Sequence, residues 1–341
     1  MAVTMHDVAR RAGVSIKTVS NVVNAYPHIR PETRRRVQEA IDDLGYRLNT
    51  TARNLRQGRT GMIGLALPEL SLPYFAELAD SVMRAAEARG VVVLIEQTGA
   101  QRERELQALD SAQRRLTDGL LFSPLALEPE ETEKLEVDYP MVLLGERMFG
   151  PVDHVTMANV EASRAATLHL IERGCRRIAA IGAHPGETMG SARLRYDGYR
   201  KALAEAGVPF DPRLVVEAGL WHRATGAEAM STLLDSGVPF DGVFGMNDAL
   251  ALGALHVLHA RGVSVPHDVA VMGFDDVDDA RYSEPLLSTI DPGREQIAQT
   301  AVDLLLDRIG GSTVEPRRVV AEFQVVARES SMLGRLVPQG G

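Results

Sequence analysis

The run VARRAGVSIKTVSNVVN, residues 8–24, holds two short helical patterns joined at one glycine. Two helices that cross at a sharp angle need a small residue where they touch and a residue that tolerates positive φ in the turn. Ala9 and Gly13 supply these, and Gly13 carries no Cβ. Val8, Ala12, Val14, Val19 and Val22 then face one small core, which is the helix-turn-helix pattern. Working outward, Thr4 caps a first helix running to about residue 12, and Ser15 caps a second running to about residue 24. The loop AYPHIR follows, then a third helix, PETRRRVQEAIDDLG, opened by Pro31 and stopped by Gly45.

With the valine face buried, Ser15, Ile16, Lys17, Ser20 and Asn21 point outward. A helix fits the DNA major groove, and its first residues reach base edges there. Lys17 can donate to guanine O6 and N7, Asn21 can pair with adenine, and Ile16 can meet a thymine methyl. The hydroxyls of Thr4, Ser15 and Thr18, with helix N-terminal amides, suit phosphate oxygens. His28, in the loop, completes the expected DNA-facing set. The alternative is an ordinary helical hairpin with a polar face. Charge favours DNA: residues 1–60 carry a net +6, whereas the rest of the chain carries −15.

The chain is 341 residues long, enough for more than one domain and a large core. No apolar run approaches the roughly 20 residues that span a bilayer. The N-terminus lacks a charged-then-apolar leader, so the expected location is the cytoplasm and no membrane partner is expected. The single cysteine, Cys175, excludes an intramolecular disulfide and a cysteine metal cluster.

From residue 61 short apolar runs alternate with helical patterns. MIGLAL, VVVLI, GLLF and MVLL form one set; RIAAIG, LVVEAG, GVFGM and VAVMGF form a second. Helices are predicted near 75–89, 102–116, 162–173, 191–206, 225–234, 249–261 and 297–309. Such alternation means parallel sheets covered on both faces. The expected fold is therefore a small all-α helix-turn-helix head plus an α/β body of two doubly wound parallel-sheet subdomains. The expected boundaries are a head over 1–48, a hinge over 49–60, a body over 61–330 and a flexible tail over 331–341. Within the body, one subdomain covers about 61–158 and 293–318, the other about 160–290 and 319–330. RRVVAEFQVVA reads as one closing strand.

These motifs in this order resemble the lac repressor family of bacterial transcription regulators. The resemblance is carried by TMHDVARRAGVSIKTVSNVVN, TRRRVQEAIDDLGYRLNTTARNL, GMIGLALP, RLRYDGYRKAL, FGMNDALALGAL, VPHDVAVMGFDD and PLLSTID. It implies a homodimer on a near-palindromic duplex operator, and a small effector, by family habit a sugar, held between the two subdomains. It also implies a hinge helix over 49–57, with Leu55 as a minor-groove wedge and Ala52 small enough for close backbone approach. Leu55 can equally be a core leucine of a linker helix. The chain departs from the family pattern at Leu48, where the family has Pro, at Arg30, where it has Ser, and at Ala158, where it has Asp.

Ligands of doubly wound folds sit at the carboxyl ends of strands. That rule selects Tyr74 and Phe75, Trp221, Asn247 and Asp248, and Asp275, with Arg195 early in the helix after RIAAIG. Carboxylate and guanidinium groups can fork onto sugar hydroxyls, and an aromatic ring can cover the sugar's apolar face. Trp221, the only tryptophan, suits that stacking. By resemblance, Arg195 and Asp275 match family ligand contacts. Plainer roles stay open: Asp248 as a helix cap, Phe75 as core, Asp275 as a turn carboxylate, and Glu146 and Arg147 as either structural or ligand-facing. No GxxxxGK loop, GxSxG elbow or calcium-loop spacing occurs, so no cofactor, metal or catalytic set is expected. His256 and His259 read as a polar helix face. A solute-binding protein and a sugar-processing enzyme on the same body are the competing readings.

Overall fold

A computed structural model describes residues 3–23, 26–46, 59–110, 116–184 and 186–332. The chain divides into two compact units, residues 1–60 and 61–341. The hinge residues 49–57, with Ala52 and Leu55, lie outside the described residues, as does Leu48.

The first unit contains α1 (Met5–Ala12), α2 (Ile16–Val23) and α3 (Pro31–Leu44). Val8, Ala9, Ala12, Val19, Val22, Val37 and Ala40 form its buried core. The turn is built as the sequence requires: Gly13 holds φ +63°, and the Val14 amide donates to the Ala9 carbonyl at 3.0 Å. Ser15 caps α2 by accepting from the Thr18 amide at 3.1 Å. Arg36 of α3 reaches back to the carbonyls of Ala12 and Gly13, closing the end of α1.

The body opens with β1 (Met62–Leu67), α4 (Pro73–Glu87), β2 (Val92–Gln97), α5 (Arg102–Asp110), β3 (Leu120–Phe122), β4 (Met141–Leu144) and β5 (Asp153–Met157). The chain then crosses to a second lobe: α6 (Asn159–Glu172), β6 (Ile178–Ala183), α7 (Ser191–Glu205), β7 (Val215–Glu217), α8 (Arg223–Asp235), β8 (Gly242–Gly245), α9 (Asp248–Ala260) and β9 (Ala270–Met272). It returns through β10 (Thr289–Asp291) to α10 (Arg294–Ile309) and β11 (Arg318–Ala321), and ends with β12 (Gln324–Val326). One parallel sheet has the order β11-β5-β4-β3-β1-β2, the other β7-β6-β8-β9. β10 and β12 pair antiparallel as a separate ribbon.

Both sheets are covered on both faces, so their strands read as near-continuous apolar runs. In the first, Leu65, Leu121 and Val142 pack under α4 and α10, while Ala66, Phe122 and Leu143 meet α5 on the other face. In the second, α6 packs beside α7 and α9 beside α8 around Ile181, Phe244 and Met272. Gly226 lets α8 and α9 approach closely, since a Cβ there would lie 2.6 Å from Leu250 Cα.

Three features differ from the sequence expectation. β5 is a strand although it reads DHVTM. Its Asp153 is fully buried and held by Arg308 at 2.7 Å and by Arg317. Burial works to raise the Asp153 pKa, but these bonds prevail and hold it below the usual carboxylate range. Second, the closing strand is two strands in different sheets. β11 belongs to the first sheet, so the return crossing falls after residue 321 rather than at 318. Third, Ser331, expected in the flexible tail, is fully buried. Its hydroxyl meets His169 Nε2 and Ser288 Oγ, each at 2.7 Å.

Candidate nucleic-acid interface and ligand cavity

In the helical unit Thr4, Ser15, Ile16, Lys17 and His28 are exposed, while Thr18, Ser20 and Asn21 are half-buried. Ile16 is an apolar side chain open to water on an otherwise polar helix start. The Thr4 hydroxyl and amide both bond the Asp7 carboxylate, at 2.6 and 3.0 Å. The Ser15 and Thr18 hydroxyls lie 2.9 Å apart. These hydroxyls therefore shape the helix starts, exposed Lys17 is the long side chain with reach, and half-buried Asn21 offers its amide on the same helix. His28 stands beside exposed Tyr26, ring centres 5.5 Å apart. Arg30, at the start of α3, makes no side-chain capping bond.

Between the two sheets of the body lies a cavity of about 360 Å³. Tyr74, Phe75, Arg195, Trp221, Asn247 and Asp275 all line it. Tyr74 and Phe75 come from the first turn of α4, their ring centres 5.3 Å apart. Burial pushes the Tyr74 phenol well up, so it stays protonated. Phe75 also packs against the first core, so it serves in both places.

Arg195 and Asp275 form the polar floor. Arg195 is 3% exposed and lies over the Phe274 ring at 3.6 Å. It donates to Asn159 Oδ1 at 2.7 Å, to the Met246 carbonyl, and to Asp275 Oδ1 at 3.4 Å. Asn159, the residue after the departure at Ala158, thus positions the guanidinium. Asp275 holds φ +118°, a strained conformation for a residue with a Cβ, costing about 1–3 kcal/mol. Its amide donates to the Ile290 carbonyl at 2.9 Å, and its own carbonyl accepts from Arg294 at 3.1 Å. Burial pushes its carboxyl up to about 7, against the pull of Arg195 and Arg294.

The neighbouring residues divide the labour differently from the sequence reading. Asn247, not Asp248, caps α9, accepting from the Leu250 amide at 2.8 Å. Its Nδ2 donates to the Trp221 carbonyl at 3.1 Å, so Asn247 also holds the Trp221 backbone at the cavity wall. Asp248 is fully buried and ties Thr289 (2.6 Å) to the Val277 amide (3.0 Å). Burial raises its pKa well above the ordinary value. Trp221 is fixed by its indole N–H on the Gly182 carbonyl at 3.0 Å.

Glu146 and Arg147 prove to be cavity residues that bridge the two lobes. Glu146 accepts from Thr156 and the Met157 amide in its own lobe, and from Ser191 of the opposite lobe at 2.7 Å. Arg147 donates to the Met189 carbonyl at 2.7 Å. Glu69 faces His222 across the mouth at 3.2 Å. Sequence reading missed Glu69, His184, Glu187 and Ser191. The strand-end position of AHPGET, at the close of β6, is the signal that marks His184 and Glu187. His184 sits against Glu187 (3.5 Å) and the Ala218 carbonyl (2.6 Å); the Glu187 bond in particular raises its pKa. His256 and His259 are exposed on α9.

Comparison with known proteins agrees with this layout. Residues 4–49 match the family described as bacterial regulatory proteins, lacI family, and residues 167–331 match a periplasmic binding protein-like domain. The HTH-type transcriptional regulator CelR of Thermobifida fusca is 37% identical over 338 residues, 96% of this chain and 98% of the relative. A solved complex of transcriptional regulator CelR with cellobiose is 34% identical, with TM-score 0.71, covering 96% of this chain and 99% of its own. The lac repressor dimer bound to operator and the anti-inducer ONPF is 26% identical, with TM-score 0.77, covering 97% and 100%.

Proposed function

The chain belongs to the lacI family of bacterial regulatory proteins, and from that premise we propose that a sugar held between the body sheets sets how tightly the head grips its operator. The protein is a DNA-binding transcriptional regulator, a repressor in this reading. The observation that carries the reading is one cavity lined from both lobes by Arg195, Asp275, Trp221, Tyr74, Phe75 and Asn247.

On the DNA side, Lys17 and Asn21 read base edges in the major groove and Ile16 meets a thymine methyl. Thr4, Ser15, Thr18, Ser20 and His28 contact or orient toward the backbone, and Ala52 and Leu55 enter the minor groove. Two copies, as in the lac repressor dimer on its operator, place two heads on a near-palindromic site. Such work belongs in the cytoplasm.

On the ligand side, Asp275 and Glu146 accept from sugar hydroxyls, Arg195 holds Asp275 in place on the cavity floor and Trp221 covers the apolar face, as expected for a protein related to a cellobiose-bound regulator. A sugar entering between the lobes competes for Glu146–Ser191 and Arg147–Met189, so occupancy changes lobe closure. That change moves the hinge segments and weakens operator binding. The coupling is about 1–3 kcal/mol and acts equally in both directions. We read the cavity as a sensor rather than a catalyst, because the relatives that match nearly the whole chain are transcriptional regulators. Gel-shift titration of the operator with and without cellobiose or another bound sugar tests this. The expected result is weaker operator binding with the sugar; unchanged affinity with every sugar that binds rejects it.

A further inference from the structure

The charges around the cavity are unevenly matched, and this deepens the ligand reading above, on which it rests. Among the described lining residues Glu69, Glu146, Glu187 and Asp275 are acidic, Arg147 and Arg195 are the only arginines, and lysine is absent. Both guanidiniums are already engaged. Arg147 donates to the carbonyls of Leu127 (3.0 Å) and Met189 (2.7 Å), to Glu128 (2.6 Å) and to Glu187 (3.5 Å). Arg195 is held by Asn159, Met246 and Asp275 and is stacked on Phe274. His184 is turned onto the Ala218 and Gly219 carbonyls and Glu187.

The helix starts that open onto the cavity are closed to an anion as well. α4 begins with Pro73, which has no N–H. At α7 the Glu146 carboxylate already sits on Ser191, the first residue of the helix. At α9 the Asn247 side chain accepts from the Leu250 amide, and the Asp248 amide donates to the Phe274 carbonyl. Glu146 itself is 5% exposed and takes its bonds from neutral donors: the Thr156 hydroxyl, the Met157 amide and the Ser191 hydroxyl.

We propose that this cavity selects an uncharged, polyhydroxylated ligand and rejects phosphorylated or carboxylated sugars. The carboxylates supply acceptors that match hydroxyl donors. An incoming anion meets the buried Glu146 carboxylate, with Arg147 and Arg195 committed elsewhere and Arg294 engaged by the Asp275 carbonyl and Glu77. Burial is the main cause of the upward shift of the Asp275 carboxyl; Arg195 and Arg294 oppose it, and Glu146 adds to it.

Titration of the full chain by calorimetry and by Trp221 fluorescence tests the proposal with matched pairs: glucose and glucose 6-phosphate, cellobiose and cellobiose 6′-phosphate, trehalose and trehalose 6-phosphate. The neutral member of at least one pair is expected to bind, with its phosphate weaker by about tenfold or more. In Glu146→Gln that gap is expected to narrow, because one of the repelling charges is gone. A phosphate that binds as well as or better than its neutral partner overturns this inference and leaves the sugar-sensor reading standing. Binding by no member of any pair overturns both.

Discussion

Replacing Asp275 by Asn separates what this carboxylate offers a ligand from what it costs the empty protein. Asp275 is 4% exposed, and its pKa stands at about 7 in the folded chain against 3.8 for an unperturbed group. Between those values the unfolded chain has lost a proton that the folded chain retains. Unfolding therefore gains on folding as pH rises, by about 1.4 kcal/mol per unit. Across roughly three units the loss of stability reaches about 4 kcal/mol, complete above pH 7 and absent below pH 4. Asn has the shape of the neutral carboxyl and keeps an acceptor for Arg195. Asp275→Asn is thus expected to match the parent protein near pH 4 and to exceed it by about 4 kcal/mol at pH 8, a large share of the stability of a typical domain. Urea unfolding at a series of pH values, followed through Trp221 emission, measures the difference. The same protein is expected to lose most of its fluorescence response to sugar. A difference that stays constant with pH, or an Asn variant weaker than the parent at pH 8, would refute the argument that burial dominates at this position.

The other expectations concern different parts of the molecule. Lys17→Ala and Asn21→Ala should each cost about 1–3 kcal/mol at particular operator base pairs, read by gel shift on a set of single-base operator variants. An equal loss on every duplex would mean that the two side chains touch phosphate only. Ser191→Ala removes a charge-assisted bond to Glu146 worth about 1.5–3 kcal/mol, so the empty body should open, seen as a larger radius of gyration in small-angle scattering. No change in radius would place closure elsewhere. Gly226→Ala puts a methyl 2.6 Å from Leu250 Cα, and prying α8 from α9 should lower stability by about 1–3 kcal/mol or more in thermal unfolding. A neutral result would show that the two helices shift at little cost.

Much of the architecture is legible in the chain because its signals are local. Gly13 between two valine-faced helices, and apolar runs alternating with helical spacing, need no distant partner to be read. What escaped reading depends on residues far apart in sequence. β5 reads as polar because Asp153 is neutralised by Arg308 and Arg317, more than 150 residues away. The closing strand splits because its two ends pair with different partners, β5 and β10. Ser331 is buried by His169 and Ser288, again from remote segments. At the cavity the strand-end rule found the aromatic and floor residues. The cross-lobe bonds of Glu146, Arg147 and Glu69 follow from how the two sheets face each other, which a single strand does not encode. Asn247 takes the cap expected of Asp248 while still lining the cavity, and only the folded loop shows that Thr289 and Val277 lie within reach of Asp248.

Three stretches of backbone join the lobes, after β5, after β10 and after β11. Two of them are not independent threads, since β10 and β12 are hydrogen-bonded side by side. That makes the junction a hydrogen-bonded ribbon beside a single third strand of chain, an arrangement that resists pulling apart more than it resists twisting. In the proposed sensor, a sugar wedging the lobes at one end would turn them about that ribbon.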